Sequence, residues 1–202
     1  MELTLSLLPA SDRYKLLAGL IVPRPIAWIS TINEHQVANC APFSFFNVFC
    51  EEPPLCAVGI NLRANGTTKH TLQNIRRTGE FVVNLVDEAT ANAMHMSSHD
   101  FPDSESEFVK AGVTPIASSV VVHPRVAEAV ASFECRQSRR IEIGPRHELV
   151  LGEMLVVHVR DGVVDADTKR VNYDVYHAVG RMSGTRYCTT RQSFNLPGAI
   201  PR

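Results

Sequence analysis

Apolar residues in this chain gather in short runs separated by turn formers, the pattern of strands rather than of long helices. Ile26-Ala-Trp-Ile-Ser-Thr31, rich in β-branched and aromatic residues, predicts a buried strand. Asn33-Glu34-His35 predicts a turn, and Gln36 to Asn39 a returning strand. Leu55 to Ile60 and Phe81 to Val86 predict two more strands, and Ser118 to Val122, Ala131 to Ile143 and Leu149 to Val159 continue the series. Asp161-Gly162 predicts a tight hairpin between Val156–Val159 and Val163-Val164. Helical spacing is confined to a few short stretches. These are Tyr14 to Ala18, capped by Ser11-Asp12 and stopped by Gly19; Thr68 to Arg77, stopped by Gly79; Ala89 to Ser98; and Ser104 to Ala111, stopped by Gly112. Many strands, few helices and no regular β-α-β alternation predict a mainly β fold with peripheral helices.

The segment Ala41-Pro-Phe-Ser-Phe-Phe-Asn-Val-Phe49 departs from simple alternation, with four phenylalanines in nine residues behind a proline. Pro42 makes regular strand pairing awkward at its start. The segment has two readings: a hydrophobic plug for the core or a subunit interface, or a rigid platform. In the second, stacking surface beside backbone donors would suit a flat ring with a polar edge, such as a flavin.

Length and composition narrow the picture. The 202 residues suffice for one domain spanning 1–202, and the hydrophobic fraction of 45% is that of an ordinary globular protein. A net charge of −1 gives no electrostatic reason to expect nucleic acid. Five cysteines, with no C-x-x-C pair, argue against a disulfide framework or a zinc ribbon, and reduced thiols fit the cytoplasm. The first fifteen residues lack the basic start of a secretory leader and are interrupted by Pro9. No run approaches the length of a membrane span.

Candidate chemistry is sparse. There is no G-x-x-x-x-G-K-[ST], G-x-G-x-x-G or G-x-S-x-G. Gly66-Thr-Thr-Lys-His-Thr71 opens a predicted helix, where free N–H groups, the helix dipole and Lys69 favour an anion. It also reads, and by itself more simply, as a threonine N-cap with a solvated lysine. His95 and His99 stand one helical turn apart, a spacing that suits a metal or simply a polar helix end. Cys40 reads as packing.

Several segments together resemble one family. Arg24-Pro-Ile-Ala-Trp-Ile-Ser-Thr31, Asn39-Cys-Ala-Pro-Phe-Ser-Phe-Phe46 and Pro53-Pro54 look like its opening block. Lys69-His-Thr-Leu-Gln-Asn-Ile75 and Thr78-Gly-Glu-Phe-Val-Val-Asn84 look like the next. Glu107-Phe-Val-Lys-Ala-Gly112, Phe133-Glu-Cys135, Leu151-Gly-Glu153 and Arg181-Met-Ser-Gly-Thr-Arg-Tyr187 follow in order. This is the flavin reductase-like, FMN-binding split-barrel family, which includes flavoredoxins and the reductase components of two-component monooxygenases.

The resemblance implies a six-stranded antiparallel split barrel, a homodimer and FMN near the subunit interface, with NADH or NADPH as cosubstrate. It implies flavin contacts from Arg24, Trp28, Ser30, Thr31, Asn39, Ala41, Pro42, Phe43 and Ser44, and a phosphate side at Lys69, His70 and Thr71. His70 departs from the family's usual acidic residue, which makes the local field friendlier to phosphate. Asn33-Glu34-His35 lacks the family's turn glycine, which puts that hairpin's geometry in question. The activity implied is hydride transfer from NAD(P)H to flavin, with electrons passed to an acceptor or a partner monooxygenase. An FMN-binding electron carrier without its own nicotinamide site is the alternative, and a β-barrel without cofactor a third.

Overall fold

The structure, a computed structural model, describes residues 1–63 and 65–198. After a short 3-10 turn, the order is α1 (Ala10–Leu20), β1 (Ala27–Ile32), β2 (Ala38–Phe43), β3 (Phe46–Glu51), β4 (Pro54–Asn61), α2 (His70–Thr78) and β5 (Glu80–Leu85). Then come α3 (Ala91–Met96), α4 (Glu107–Ala111), β6 (Pro115–Ile116), β7 (Arg125–Val126), β8 (Ala131–Ile143), β9 (His147–Val159), β10 (Val179–Arg181) and β11 (Tyr187–Thr189). Among the described residues no helix is long and apolar enough to cross a membrane.

One antiparallel sheet dominates, in the order β2-β1-β5-β8-β9-β4-β3. Its two edges are consecutive in sequence. A flat sheet would hold β2 and β3 roughly 29 Å apart, six strand spacings. Only Ser44 and Phe45 join them, a reach of roughly 11 Å. The sheet must therefore roll until its edges meet, and no ladder pairs β2 with β3 across the seam. The main sheet has seven strands rather than the expected six. The seventh, β3, folds back on β4 with a register shift between Val48 and Cys50 and stays largely exposed.

The interior is filled by Ile29, Val58, Ile60, Leu72, Ile75, Phe81 and Val83 among others. Gly152 is obligatory there. A Cβ on it would lie 2.4 Å from the Phe81 ring, too close for any contact without displacement. A second cluster, around Trp28, Met94 and Phe108, packs α3 and α4 against the outer face of β1 and β2.

Several local expectations are corrected. Helix α1 starts after Pro9, not at a Ser11-Asp12 cap, and runs through Gly19. Pro42 sits inside β2, tolerated because β2 is an edge strand on whose free side no N–H is needed. The β1–β2 hairpin closes without a glycine. Asn33 Oδ1 accepts from the N–H groups of His35 and Val37, both at 2.9 Å, while Gln36 takes a φ of 62°. Residues 118–122 form no strand. Their backbone wraps the buried Glu134 carboxylate, which accepts from the N–H of Ser119, Val120 and Val121 at 2.6, 2.6 and 3.0 Å. The Asp161-Gly162 turn forms, but Val164 pairs with Val171 instead of extending along β9. Asp165 closes that local loop by accepting from the Thr168 N–H at 2.7 Å.

His123 is fully buried between β1 and α2. Its Nδ1 accepts the Ile32 N–H at 2.9 Å, and Nε2 lies 2.9 Å from the Thr78 hydroxyl. Burial, with Arg77 nearby, pushes its pKa down to about 4. Because the folded value lies below the unfolded one, the neutral ring contributes stability above pH 6.5 that is lost as pH falls toward 4. The difference in stability between wild type and His123→Asn should therefore grow by about 3 kcal/mol from pH 4 to 6.5. Urea melts at several pH values measure it, and a constant difference would refute the assignment.

Candidate functional site

The seam between β2 and β3 lies beside the amino end of α2, and two adjoining clefts open there. The larger, about 320 Å³, is walled by Pro42, Phe43, Ser44 and Phe45 from the seam, with Lys69, His95, Arg181 and Tyr187 opposite. The smaller, about 50 Å³, is bounded by Asn39, Arg63, Lys69, His70, Thr71 and Glu107. Pro42, Lys69 and Ser98 line both, so an apolar aromatic wall runs into a polar pocket.

The phenylalanine run divides according to strand phase. Phe43 is buried and Phe46 packs on the core, whereas Phe45 and Phe49 are exposed, Phe49 at 72%. The run is thus neither wholly a plug nor wholly a surface patch, and Phe43 and Phe45 present the apolar face of the cleft.

Lys69 is the N-cap residue of α2, one position before the first turn, and no side chain caps this helix. The first N–H groups of a helix have no intrahelical acceptor, so this end favours an anion. Lys69 Nζ lies 5.4 Å over the Phe43 ring, and among the described residues it makes no salt bridge. Burial lowers its pKa, which Asp100 partly offsets. A half-buried cation without a carboxylate partner is an incomplete arrangement. His70 Nδ1 stands 3.6 Å from Asp103, and burial with Arg63 lowers its pKa.

Behind the pocket runs a buried polar chain. Asn39 Oδ1 accepts from the Thr31 and Thr71 hydroxyls at 3.3 and 3.0 Å, and Asn74 Nδ2 donates to Thr31 Oγ1 at 3.0 Å. Asn39 Nδ2 donates to Glu107 Oε1 at 2.8 Å. The chain ties β1, β2, α2 and α4 together. Glu107 is pushed up to about 7, by burial first and by Asp103 in addition. Burial also pushes the Cys40 thiol up, as a packing role requires.

Of the residues singled out from sequence, Asn39, Ala41, Pro42, Phe43, Ser44, Lys69, His70 and Thr71 line the two clefts. Three others lie beneath. Trp28 is fully buried and its indole N–H donates to Ser97 Oγ at 2.9 Å. Ser30 donates to the Pro124 carbonyl at 2.5 Å and accepts from Asn84, and Thr31 belongs to the polar chain. Arg24 spends its guanidinium on the chain. It donates to the carbonyls of Ala18, Ile21 (2.9 Å) and Met182 (2.7 Å), and its Nε donates to Ser44 Oγ at 3.3 Å. Its place is to hold the Ser44 corner.

The chain matches the flavin reductase-like domain over residues 19–181. It belongs to the flavin reductase-like family. Among solved structures, nitrilotriacetate monooxygenase component B from Bacillus cereus is 32% identical, with a TM-score of 0.92 over 97% of this chain and 98% of that one. The 2-nitrobenzoate 2-nitroreductase NbaA of Pseudomonas fluorescens is 31% identical, with a TM-score of 0.90 over 100% and 99%. A split-barrel-domain structure from Shewanella frigidimarina, 24% identical over 98% and 100% at a TM-score of 0.81, shares the fold.

The family match takes in the seam, the amino end of α2 and Arg181, and stops short of Tyr187. Arg181, Tyr187, His95 and Glu107 also line the clefts, and none of them was marked by the sequence as a flavin contact. Arg181 stacks 4.7 Å over the Tyr187 ring, and the Tyr187 hydroxyl lies 3.5 Å from His95 Nδ1. Arg181 and Tyr187 bound a recognised family segment, the one signal that pointed to them. His95 faces the cleft rather than forming a metal pair, and among the described residues no three ligating side chains gather. Glu107 likewise opens a recognised family segment, but only the fold buries it against Asn39.

Proposed function

We propose that this chain is an FMN-binding oxidoreductase that transfers hydride from NADH or NADPH to the flavin and passes the electrons to an acceptor or a partner oxygenase. The observation that carries this reading is the continuity of an aromatic wall with an uncapped helix end and an unpaired lysine. A flat ring joined to one terminal phosphate needs that combination, and the residues present fit it. When bound, FMN supplies the hydride acceptance and onward electron transfer. The chain's part is positioning. Ala41, Pro42 and Phe43 offer a flat, water-excluding face, with Ser44 fixed by Arg24 at its corner. Lys69, Thr71 and the amino end of α2 hold the phosphate, and Asn39 and Thr31 keep β2 and α2 in register. Trp28 and Ser30 support this backbone from behind, and His70 borders the phosphate pocket.

The small volume of the phosphate pocket favours FMN over FAD, which calorimetry compares directly. Stopped-flow mixing of the FMN-loaded protein with NADH and NADPH tests the activity. Rapid flavin bleaching is expected, whereas a flavin that stays oxidised would make the chain an electron carrier without a nicotinamide site.

The exposed edge strand β3, carrying Val48 and Phe49, supports a homodimer, because such an edge is normally covered. Light scattering of the FMN-loaded protein should show two subunits at micromolar concentration. The partner oxygenase is supported by the likeness to a monooxygenase component, and five cysteines without a C-x-x-C pair agree with a cytoplasmic enzyme.

A further inference from the structure

The pocket at the amino end of α2 contains a group that a phosphate site does not need. Glu107 is 4% exposed and lines the pocket. Its Oε1 accepts from Asn39 and its Oε2 has no hydrogen-bond partner. Although the backbone N–H groups of Glu107 and Cys40 favour the ionised form, burial outweighs them. An ionised carboxylate in that position leaves a buried charge with an unsatisfied oxygen, which is costly. The same pocket carries the uncapped end of a nine-residue helix, Lys69 and Arg63, all of which favour an anion. One small space is thus arranged for a single negative charge, and Glu107 competes to supply it.

We propose that Glu107 couples phosphate binding at α2 to the uptake of one proton, the pocket accepting a phosphate monoester when Glu107 is neutral and disfavouring it when Glu107 is ionised. The proposal rests on the FMN reading above. The groups that face Glu107 are Asp103 before α4, Cys40 on β2, and His70 and Lys69 at α2, with Arg63, His99 and Asp100 across the pocket. Cys40 is held in its thiol form by burial. His70 is held below its ordinary value by burial and Arg63, which favours its neutral form. Asp103 adds a like charge that favours the proton on Glu107. The phosphate's own second ionisation, near pH 6, works in the opposite direction, since it adds charge for Lys69 to bind as pH rises.

Fluorescence titration of FMN into wild type and Glu107→Gln at pH 6, 7 and 8 separates these contributions. With Glu107 titrating at about 7, the wild-type dissociation constant should rise about tenfold from pH 6 to 8 relative to the variant. Calorimetry of the wild type at pH 8, in two buffers of different ionisation enthalpy, should show about one proton taken up per FMN bound. Riboflavin, which lacks the phosphate, should show neither effect. Identical pH profiles for the two proteins, or no proton uptake by the wild type, would overturn the coupling while leaving the FMN reading intact. If the variant fails to fold, the wild-type calorimetry decides alone. Absence of FMN binding at every pH would instead overturn the flavin reading and the coupling with it.

Discussion

Replacing Lys69 with alanine should raise the FMN dissociation constant roughly 10- to 100-fold and leave the apo protein folded. The lysine is half-buried, uncapped α2 begins beside it, and its ammonium group stands over Phe43 without a carboxylate partner. A cation beside a helix N-terminus is unfavourable for the helix itself, so the position makes sense when an anion is bound between them. A charge-assisted contact to phosphate contributes on the order of 1.5–3 kcal/mol, which gives the stated range at about 1.4 kcal/mol per decade. Apo stability should stay level or rise slightly, because removing the cation relieves desolvation and dipole costs and forfeits the contact with Phe43 and the attraction of Asp100. Fluorescence titration beside thermal melts of both apo forms measures both quantities. Unchanged affinity would move the phosphate elsewhere, with Arg63 the next position to test.

A second large effect belongs to Trp28. Trp28→Ala should destabilise the fold by about 3–5 kcal/mol, because it empties the centre of the cluster between β1, β2 and the α3–α4 layer. Trp28→Phe should cost about 1–2 kcal/mol, for the smaller ring and a Ser97 hydroxyl left without its indole donor. The phenylalanine variant separates the two roles open to this residue. With an indole fully enclosed by protein, FMN affinity in Trp28→Phe should remain within about twofold of wild type, a change of only a few tenths of a kcal/mol. A tenfold loss in a variant whose melt shows it folded would mean that the indole itself meets the flavin.

Part of this protein is determined by short-range features of its sequence. The alternation of apolar runs with turn residues sets the mainly β class, since side-chain phase and backbone preference act within a few residues. Gly79 and Gly112 end α2 and α4 in the left-handed conformation, at φ of 70° and 68°, because only glycine takes it without cost. The run 66–71 announces a helix start beside a lysine, and 41–46 a proline-rigid aromatic corner, so the two halves of the candidate site were legible before any packing was known.

Their meeting was decided by tertiary structure. That β2 and β3 form opposite edges of one rolled sheet depends on the pairing of β4 with β9 and of β5 with β8, contacts far apart in the chain. The same closure consumes the donors of Arg24 on carbonyls as distant as Met182, and turns Trp28 and Ser30 inward. It unmakes the strand expected at 118–122, because the buried Glu134 carboxylate requires those backbone donors more than a sheet does. Glu107 is the clearest case. In sequence it is an ordinary acid in the first turn of a short helix, and it becomes a buried carboxyl only because Asn39, 68 residues away, meets it under the pocket. Burial is a property of the assembled chain, and the protonation state of a carboxyl follows burial.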